Sequence, residues 1–417
     1  MIAEILATGD EIRTGALVDT NTAHIADALE GLGVEVVRHL CVGDGLETLT
    51  AAFREISERA DIAVVTGGLG PTIDDRTAEA AALVAGVDQV LDSRALADIE
   101  TFFRRRGRPV SPTNEKQARL PRGSEPLYNP VGTAPGFAMT VGRCRFYCLP
   151  GVPHEMRRML SERVLPRLAE VLGPGRPVRT VRTLSTFGLP ESVVGERLDG
   201  LETAVPGITL GLRASFPVIA VRLYASGPDA GSVDRNLAAA EAEVRRRLGV
   251  RVFSWTGRSL AAETGALLER AGATLAIAES CTGGLIAHQL TEVPGASAWF
   301  ILSAVTYANS AKVDVLGVSS ETLNRCGAVH EETAREMAEG VRRAAGADYG
   351  LSTTGIAGPD GGSPEKPVGT VCIGIAGPDG ASGRRHTLST YSRTMNKRLF
   401  AATALDTLRR ALIDGGK

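Results

Sequence analysis

Apolar positions in the first part of the chain come in short continuous runs, separated by stretches with helical spacing. Ile2 to Ala7 reads as a strand leading into Thr8-Gly9-Asp10-Glu11. Asn21 reads as the cap of a helix whose stripe is Ile25, Leu29 and Leu32, stopped by Gly33. Val34 to Cys41 is a second strand and Leu46 to Ala60 a second helix. Asp61 to Thr66 is a third strand, entering the loop Gly67-Gly68-Leu69-Gly70-Pro71. Strands that are apolar throughout and alternate with helices predict a parallel sheet covered on both faces.

Residues 104–136, rich in Arg, Pro, Gly and Asn, read as loop. A strand near Arg145 to Leu149 follows, then Pro150-Gly151-Val152-Pro153 and a helix starting near His154. Gly173-Pro174-Gly175-Arg176-Pro177 is the clearest linker. Residues 178–254 have an α+β texture, with strands near Val178 to Thr186 and Ile219 to Ala225 and two helical patterns. Trp255 to Arg258 marks a second join. Beyond it lie a Ser259-capped helix, a strand at Thr274 to Ala278, a helix from Thr282 and a strand at Ala298 to Thr306. A helix at Glu332 to Ala345, strands at Asp348 to Thr353 and Val368 to Ile375, and a last helix from about Asn396 complete the pattern. The expected fold class is α/β: two separate α/β sheet domains, 1–172 and 258–417, joined by a small α+β domain, 178–254.

Composition narrows the function classes. The 417 residues are 43% hydrophobic and 23% charged, which fits a globular chain of two or three domains. The formal net charge of −2 gives no basic excess to announce nucleic-acid or membrane-surface binding. No apolar run approaches the ~18 residues of a membrane span, and the start lacks the basic flank of a secretory signal. A cytoplasmic location is the default expectation. The six cysteines form no CxxC pair and sit near no cluster of histidines, which argues against metal clusters and disulfide frameworks. Lysine occurs only at 116, 312, 366, 397 and 417, so a lysine inside a motif stands out.

Three C-terminal segments carry the sharpest chemistry. Ala278-Glu279-Ser280-Cys281-Thr282-Gly283-Gly284 runs from a strand end into a helix start, where bare N–H groups stabilise negative charge. A hydroxyl there could be an acyl-transfer nucleophile beside oxyanion donors, or a helix cap. Thr306-Tyr307-Ala308-Asn309-Ser310-Ala311-Lys312 places a lysine where burial could make it a base; an ordinary surface lysine is the plainer reading. Thr353-Thr354-Gly355 to Gly358 and onward to Lys366-Pro367-Val368-Gly369-Thr370 is a glycine-rich loop that could cradle phosphate or carboxylate, or only turn the chain.

Together these segments resemble the C-terminal domain of the CinA family, the nicotinamide mononucleotide deamidases, through AESCTGG, VTYANSAK and TGIAGPDGG with EKPVGTV over about 260–400. The resemblance implies hydrolysis of the carboxamide of nicotinamide mononucleotide to nicotinic acid mononucleotide and ammonia, without a cofactor. It implies Ser280 as nucleophile, with Lys312 and Tyr307 as proton-transfer partners. Substrate contacts are expected from Thr282, Gly283, Gly284, Asn309, Thr354, Gly355 and Gly358, and from Arg393 on a phosphate. Cys281 is a rival nucleophile, placed below Ser280. His330 stands where the family more often has serine, and Ser303-Ala304 replaces a usual Gly-Gly.

The N-terminal half resembles the molybdopterin-binding fold shared by molybdenum-cofactor enzymes and the CinA N-terminal domain, through TGDEI, VDTN, TGGLGPTIDD, APGFA and LPGVPHEM. This implies metal-dependent hydrolysis of ADP-ribose to AMP and ribose 5-phosphate. Gly67, Gly68 and Gly70 are the expected phosphate contacts. Asp10, Glu11, Asp44, Asp74 and Asp75 are the candidate ligands of a divalent metal such as Mg²⁺, or water-activating residues; at a helix start an aspartate such as Asp75 is as readily an ordinary cap. The middle segment resembles the family's KH-like domain but has no GXXG loop, so nucleic acid is not expected as a partner. The family further implies a homodimer. Two alternatives are a molybdopterin-binding or adenylylating enzyme, and a competence-associated nucleic-acid-binding protein with degenerate domains.

Overall fold

The computed structural model describes residues 1–173, 178–388 and 391–414. The linker predicted at 173–177 lies, beyond Gly173, outside the described residues. The chain packs as two compact units: Met1–Thr180 with Ser226–Val233, and Val181–Ala225 with the residues from Asp234 onward.

The first unit is built on a six-stranded sheet ordered Glu35–Val42, Ile2–Thr8, Ile62–Thr66, Cys144–Leu149, Gly136–Val141, Glu125–Leu127. The first four strands are parallel, as the apolar runs predict, and every residue of Ile62–Thr66 is buried. The last two are antiparallel, so the sheet is mixed rather than purely parallel. Gly136–Val141 folds back on Cys144–Leu149 through the two-residue turn Gly142-Arg143, where Gly142 takes φ +57°. Residues 104–136 are also not all loop. They hold the end of helix Ser93–Arg105, helix Pro112–Glu115 and strands Arg119–Pro121 and Glu125–Leu127. Asn21 opens its helix without capping it. The Asp19 carboxylate accepts from the Asn21 and Thr22 N–H groups at 3.0 Å, which frees the Asn21 side chain for other work.

In the middle segment a sheet runs Ile208–Ser215, Val218–Gly227, Val178–Phe187, Val252–Ser254, two strands more than the sequence pattern predicts. The C-terminal sheet has five strands, ordered Phe300–Val305, Leu275–Glu279, Tyr349–Gly355, Thr370–Gly377, Gly380–Thr387. The first three are parallel and the last two form an antiparallel hairpin. Side-chain alternation in Leu275–Glu279 divides two cores. Leu275 and Ile277 pack with Phe400, Leu405 and Leu408 of helix Arg393–Asp414, while Ala276 and Ala278 face Met337 and Val341 of helix Glu331–Ala345. Each fully buried large side chain contributes about 1.5–3 kcal/mol. Phe187 and Phe253 of the middle segment join the first of these cores.

Helix Glu331–Ala345 sits unusually close to the sheet. A Cβ at Gly350, Gly374 or Gly383 would overlap the carbonyl oxygen of Ala338, Ala334 or Glu331, respectively. These three glycines lie on three neighbouring strands, so bare backbone forms the floor under the helix. Ser352 Oγ donates to the Ala334 carbonyl at 2.5 Å and ties the two together. Replacement Gly374→Ala is expected to destabilise the chain by about 1–3 kcal/mol or more, because the helix backbone must lift. Gly31→Ala, where a Cβ meets nothing within 4 Å, is the control. Chemical denaturation of both variants should show a loss only in the first.

Candidate functional site

Strand Leu275–Glu279 ends on a carboxylate with no exposure to solvent. Glu279 accepts from the N–H groups of Gly284 at 3.0 Å, Ile286 at 3.2 Å and Ala287 at 2.9 Å. It therefore supplies the start of helix Leu285–Thr291 with the negative charge that such an end favours. The five residues between form a tight turn. The Gly283 N–H closes on the Ser280 carbonyl at 3.1 Å, and Gly283 and Gly284 take φ +59° and +89°, which only glycine adopts easily. Ser280 is anchored by its N–H to the Thr353 carbonyl at 2.9 Å, and the Thr282 and Thr353 hydroxyls meet at 2.7 Å. The helix thus begins at Leu285 rather than at Thr282. The Gly283 and Gly284 N–H groups are already bonded within the protein. Among the described residues, Cys281 and Thr282 N–H are the donors of this turn with no protein acceptor outside their own residue.

Lys312 comes to this turn from the first turn of helix Asn309–Leu316 and is 1% exposed. Its Nζ lies 3.3 Å from Ser280 Oγ, 2.9 Å from the Thr306 carbonyl and 3.0 Å from the Tyr307 carbonyl. Burial holds its pKa below that of an ordinary lysine. Two carbonyls take two N–H positions, and the third tetrahedral position faces the serine. In the neutral amine that position is a lone pair able to accept the serine proton. Cys281 turns the other way, into the apolar core, where burial pushes its thiol up to about 12. At neutral pH it stays protonated, which disfavours it as a nucleophile.

Tyr307 is 61% exposed and its hydroxyl does not bond Ser280 or Lys312. It accepts from Arg393 Nη2 at 2.9 Å, while Arg393 Nη1 donates to the Gly358 carbonyl at 2.8 Å. The pair links strand end, glycine-rich loop and last helix. Asn396, buried on that helix, donates to the Ala357 carbonyl at 3.0 Å and fixes the same loop. Asn309 is exposed at its helix start. The Thr354 hydroxyl is buried and turned to the Ala328 carbonyl at 2.8 Å, so it serves the turn behind the loop rather than a ligand. Gly355 has no room for a side chain against Thr370 and Val371.

The N-terminal candidates gather at the carboxyl edge of the first sheet, around a cavity of about 570 Å³. Glu11, Asp44, Asp74, Asp75, Gly67, Gly68 and Gly70 line it; Asp10 does not. Asp10 points to Arg13 at 3.0 Å, and only its N–H meets Asp44, at 3.0 Å. Burial, and then the charges of Asp10, Glu11 and Asp74, raise the Asp44 pKa. Asp75 is held by the Thr72 N–H at 2.9 Å and by its hydroxyl at 2.5 Å. Among the described residues, no three of these carboxylates bring oxygens within 4.8 Å of one another. At Gly67 a Cβ would lie 2.5 Å from the Thr8 carbonyl, so only glycine lets the loop close on the strand end. Asn21 donates to Thr66 Oγ1 at 3.0 Å and to the Gly151 carbonyl at 2.8 Å, joining three loops of the rim.

Three family models match the chain end to end: a probable molybdopterin binding domain over 4–170, a damage-inducible protein CinA KH domain over 181–254, and a CinA C-terminal domain over 257–412. A CinA-like protein of Desulfosudis oleivorans is 54% identical over 99% of this chain and all of its own length. The chain belongs to the CinA family. A second CinA-like protein, from Desulforapulum autotrophicum, is 50% identical over the full length of both. Among solved structures, a competence/damage inducible protein of Agrobacterium tumefaciens is 42% identical over 37% of this chain and 93% of its own, with a TM-score of 0.36. No helix among the described residues is long and apolar enough to cross a membrane.

Within this CinA chain several groups that build the site carry no assigned role in the sequence reading. Glu279 is the foremost, although it stands inside the AESCTGG motif; its signal is a lone acid ending an apolar strand, with three residues between it and a glycine pair. Asn396 and Lys397 are others. The Lys397 ammonium stands 3.4 Å from where a Gly283 side chain would begin. Replacing Glu279 by Ala leaves three N–H groups without their carboxylate, and one unsatisfied buried group already costs about 1–3 kcal/mol. Glu279→Ala should therefore lower the melting temperature clearly, and Glu279→Gln should recover part of the loss. Differential scanning calorimetry of the two variants checks this.

Proposed function

We propose that the C-terminal domain hydrolyses the carboxamide of nicotinamide mononucleotide, giving nicotinic acid mononucleotide and ammonia. The observation that carries this reading is the buried Lys312 amine directed at Ser280 Oγ at 3.3 Å, with its other positions occupied by carbonyls. Ser280 Oγ bonds to the amide carbon while Lys312 takes the hydroxyl proton. The oxygen of the resulting tetrahedral adduct carries negative charge, for which the Cys281 and Thr282 N–H groups are the available donors. Collapse breaks the C–N bond, and Lys312 returns its proton to the leaving nitrogen as ammonia departs. Water then attacks the acyl-serine by the same proton route and releases the acid. Arg393, held by Tyr307 and Gly358, offers its remaining face to the substrate phosphate.

The N-terminal cavity favours a second activity, hydrolysis of ADP-ribose to AMP and ribose 5-phosphate. Carboxylates that line one cavity without forming a closed cage fit a cation bound by one or two of them together with substrate phosphates. A divalent cation such as Mg²⁺ would neutralise the diphosphate and activate a water there. Glu11, Asp44, Asp74 and Asp75, which line the cavity, would be the residues to hold it, and the loop Gly67–Gly70 would let phosphate approach the backbone closely. We further propose that the assembly is a homodimer with separate domains at 1–172, 178–254 and 258–417.

Ammonia release from nicotinamide mononucleotide is the direct test. Ser280→Ala should abolish it, and Lys312→Met should slow it by about 10²–10⁴-fold. Lys312→Arg should be as slow, because a guanidinium keeps its proton; an active Arg variant would overturn the base role. Since the amine form is the active one and its pKa is lowered, the rate should rise with pH through an apparent pKa below the ~10.4 of a free lysine. Asp44→Asn should reduce Mg²⁺-dependent AMP release from ADP-ribose and leave ammonia release unchanged.

A further inference from the structure

Behind the glycine-rich loop, one short turn gathers a thiol, an imidazole and a carboxylate. Cys326 ends helix Ser320–Cys326, His330 caps helix Glu331–Ala345, and Glu332 lies in that helix's first turn. All three are half-buried, and one ligand atom of each lies within 4.8 Å of the others. Cys326 Sγ and Glu332 Oε2 are 3.7 Å apart. Sulfur and oxygen bound tetrahedrally to zinc at their usual distances would be about 3.6 Å apart. The spacing Cys-x-x-x-His-x-Glu belongs to no common metal motif, which is why the sequence pattern alone argues against a metal here.

We propose that Cys326, His330 and Glu332 form a three-ligand site for a thiophilic divalent cation of the Zn²⁺ class, with the fourth position open to water. Thiolate and carboxylate together cancel the charge of the ion, which removes the repulsion that a bare cation meets at a helix N-terminus. Binding releases the Cys326 thiol proton to solvent. It displaces the Glu332 N–H from His330 Nδ1, now at 3.1 Å, and the exposed Arg325 guanidinium from Glu332, now at 2.8 Å. The site is soft as well as hard: sulfur and imidazole prefer zinc, cobalt or copper over magnesium. It stands apart from the carboxylate-lined N-terminal cavity in ligand type.

The same turn is fastened to the glycine-rich loop. Lys366 Nζ donates to the Cys326 carbonyl at 2.9 Å, and the Thr354 hydroxyl to the Ala328 carbonyl. A bound ion therefore braces the backbone that supports this loop.

The test is titration of metal-free full-length protein with Co²⁺, followed by Zn²⁺. The expected result is a thiolate-to-cobalt charge-transfer band with visible bands of tetrahedral intensity at one equivalent, both bleached by Zn²⁺. Cys326→Ser should abolish the charge-transfer band, and His330→Ser and Glu332→Gln should each weaken binding by at least about tenfold. Cys41→Ser, which removes the exposed thiol, should leave the spectrum unchanged. Absence of the band, its survival in Cys326→Ser, or its loss in Cys41→Ser would overturn the proposal. Circular dichroism establishes which variants are folded, and Glu332→Gln decides the matter should Cys326→Ser not fold.

Discussion

A single buried carboxylate holds the candidate nucleophile in place. Glu279 has no access to water and answers three backbone N–H groups of the following helix. An ion in that position is stable only because those donors and the positive helix end replace its hydration. In doing so it fixes both ends of the turn that carries Ser280. It also decides which donors the turn can offer to a substrate, because the N–H groups nearest the helix are already taken. The charge that would otherwise attract an anion to the helix start is satisfied from within, and among the described residues the N–H groups of the turn left without a protein acceptor outside their own residue are those of Cys281 and Thr282.

The second element follows from the first. With the turn in place, Lys312 is buried against it and held by two carbonyls, and under the proposed amidase reaction its desolvated amine would take the part that a histidine takes in the better-known serine hydrolases. The two neighbouring side chains, Ser280 and Cys281, point in opposite directions. One faces the amine, and the other is sealed among Leu and Ile side chains that raise its pKa. Tyr307 and Arg393 form an outer layer on the exposed side, where a phosphate would find positive charge beside water rather than in the core. The N-terminal cavity follows a different logic, with several carboxylates spread around a wide mouth and no lysine among its lining residues.

Much of this was legible in the sequence because it is local. Continuous apolar runs gave the central strands, since a strand buried on both faces has no polar alternation to show. Ser280 and Lys312 stand in compact motifs at strand ends, and the fold brings those ends together. What was not legible depends on contacts between distant residues or on direction. The hairpin strand Gly136–Val141 hides behind Gly- and Pro-rich neighbours that read as loop. Asp10 shares its motif with Glu11 but turns to Arg13, because it opens a one-turn helix that ends on that guanidinium. Tyr307 meets Arg393 across 86 positions, which no spacing rule reports. Cys326 and His330 converge only because one helix ends and another begins within a single turn.

The bare floor beneath helix Glu331–Ala345 has a mechanical consequence. A helix resting on side chains can slide or tilt a little as rotamers adjust, whereas one resting on backbone at three successive strands has no such compliance. Its N-terminal end, where His330, Glu331 and Glu332 stand, is therefore stationary relative to the sheet that carries Ser280 and Thr353. Strain introduced at that end would be passed on to the strands rather than dissipated, and the positions without side chains are the ones that make the coupling stiff.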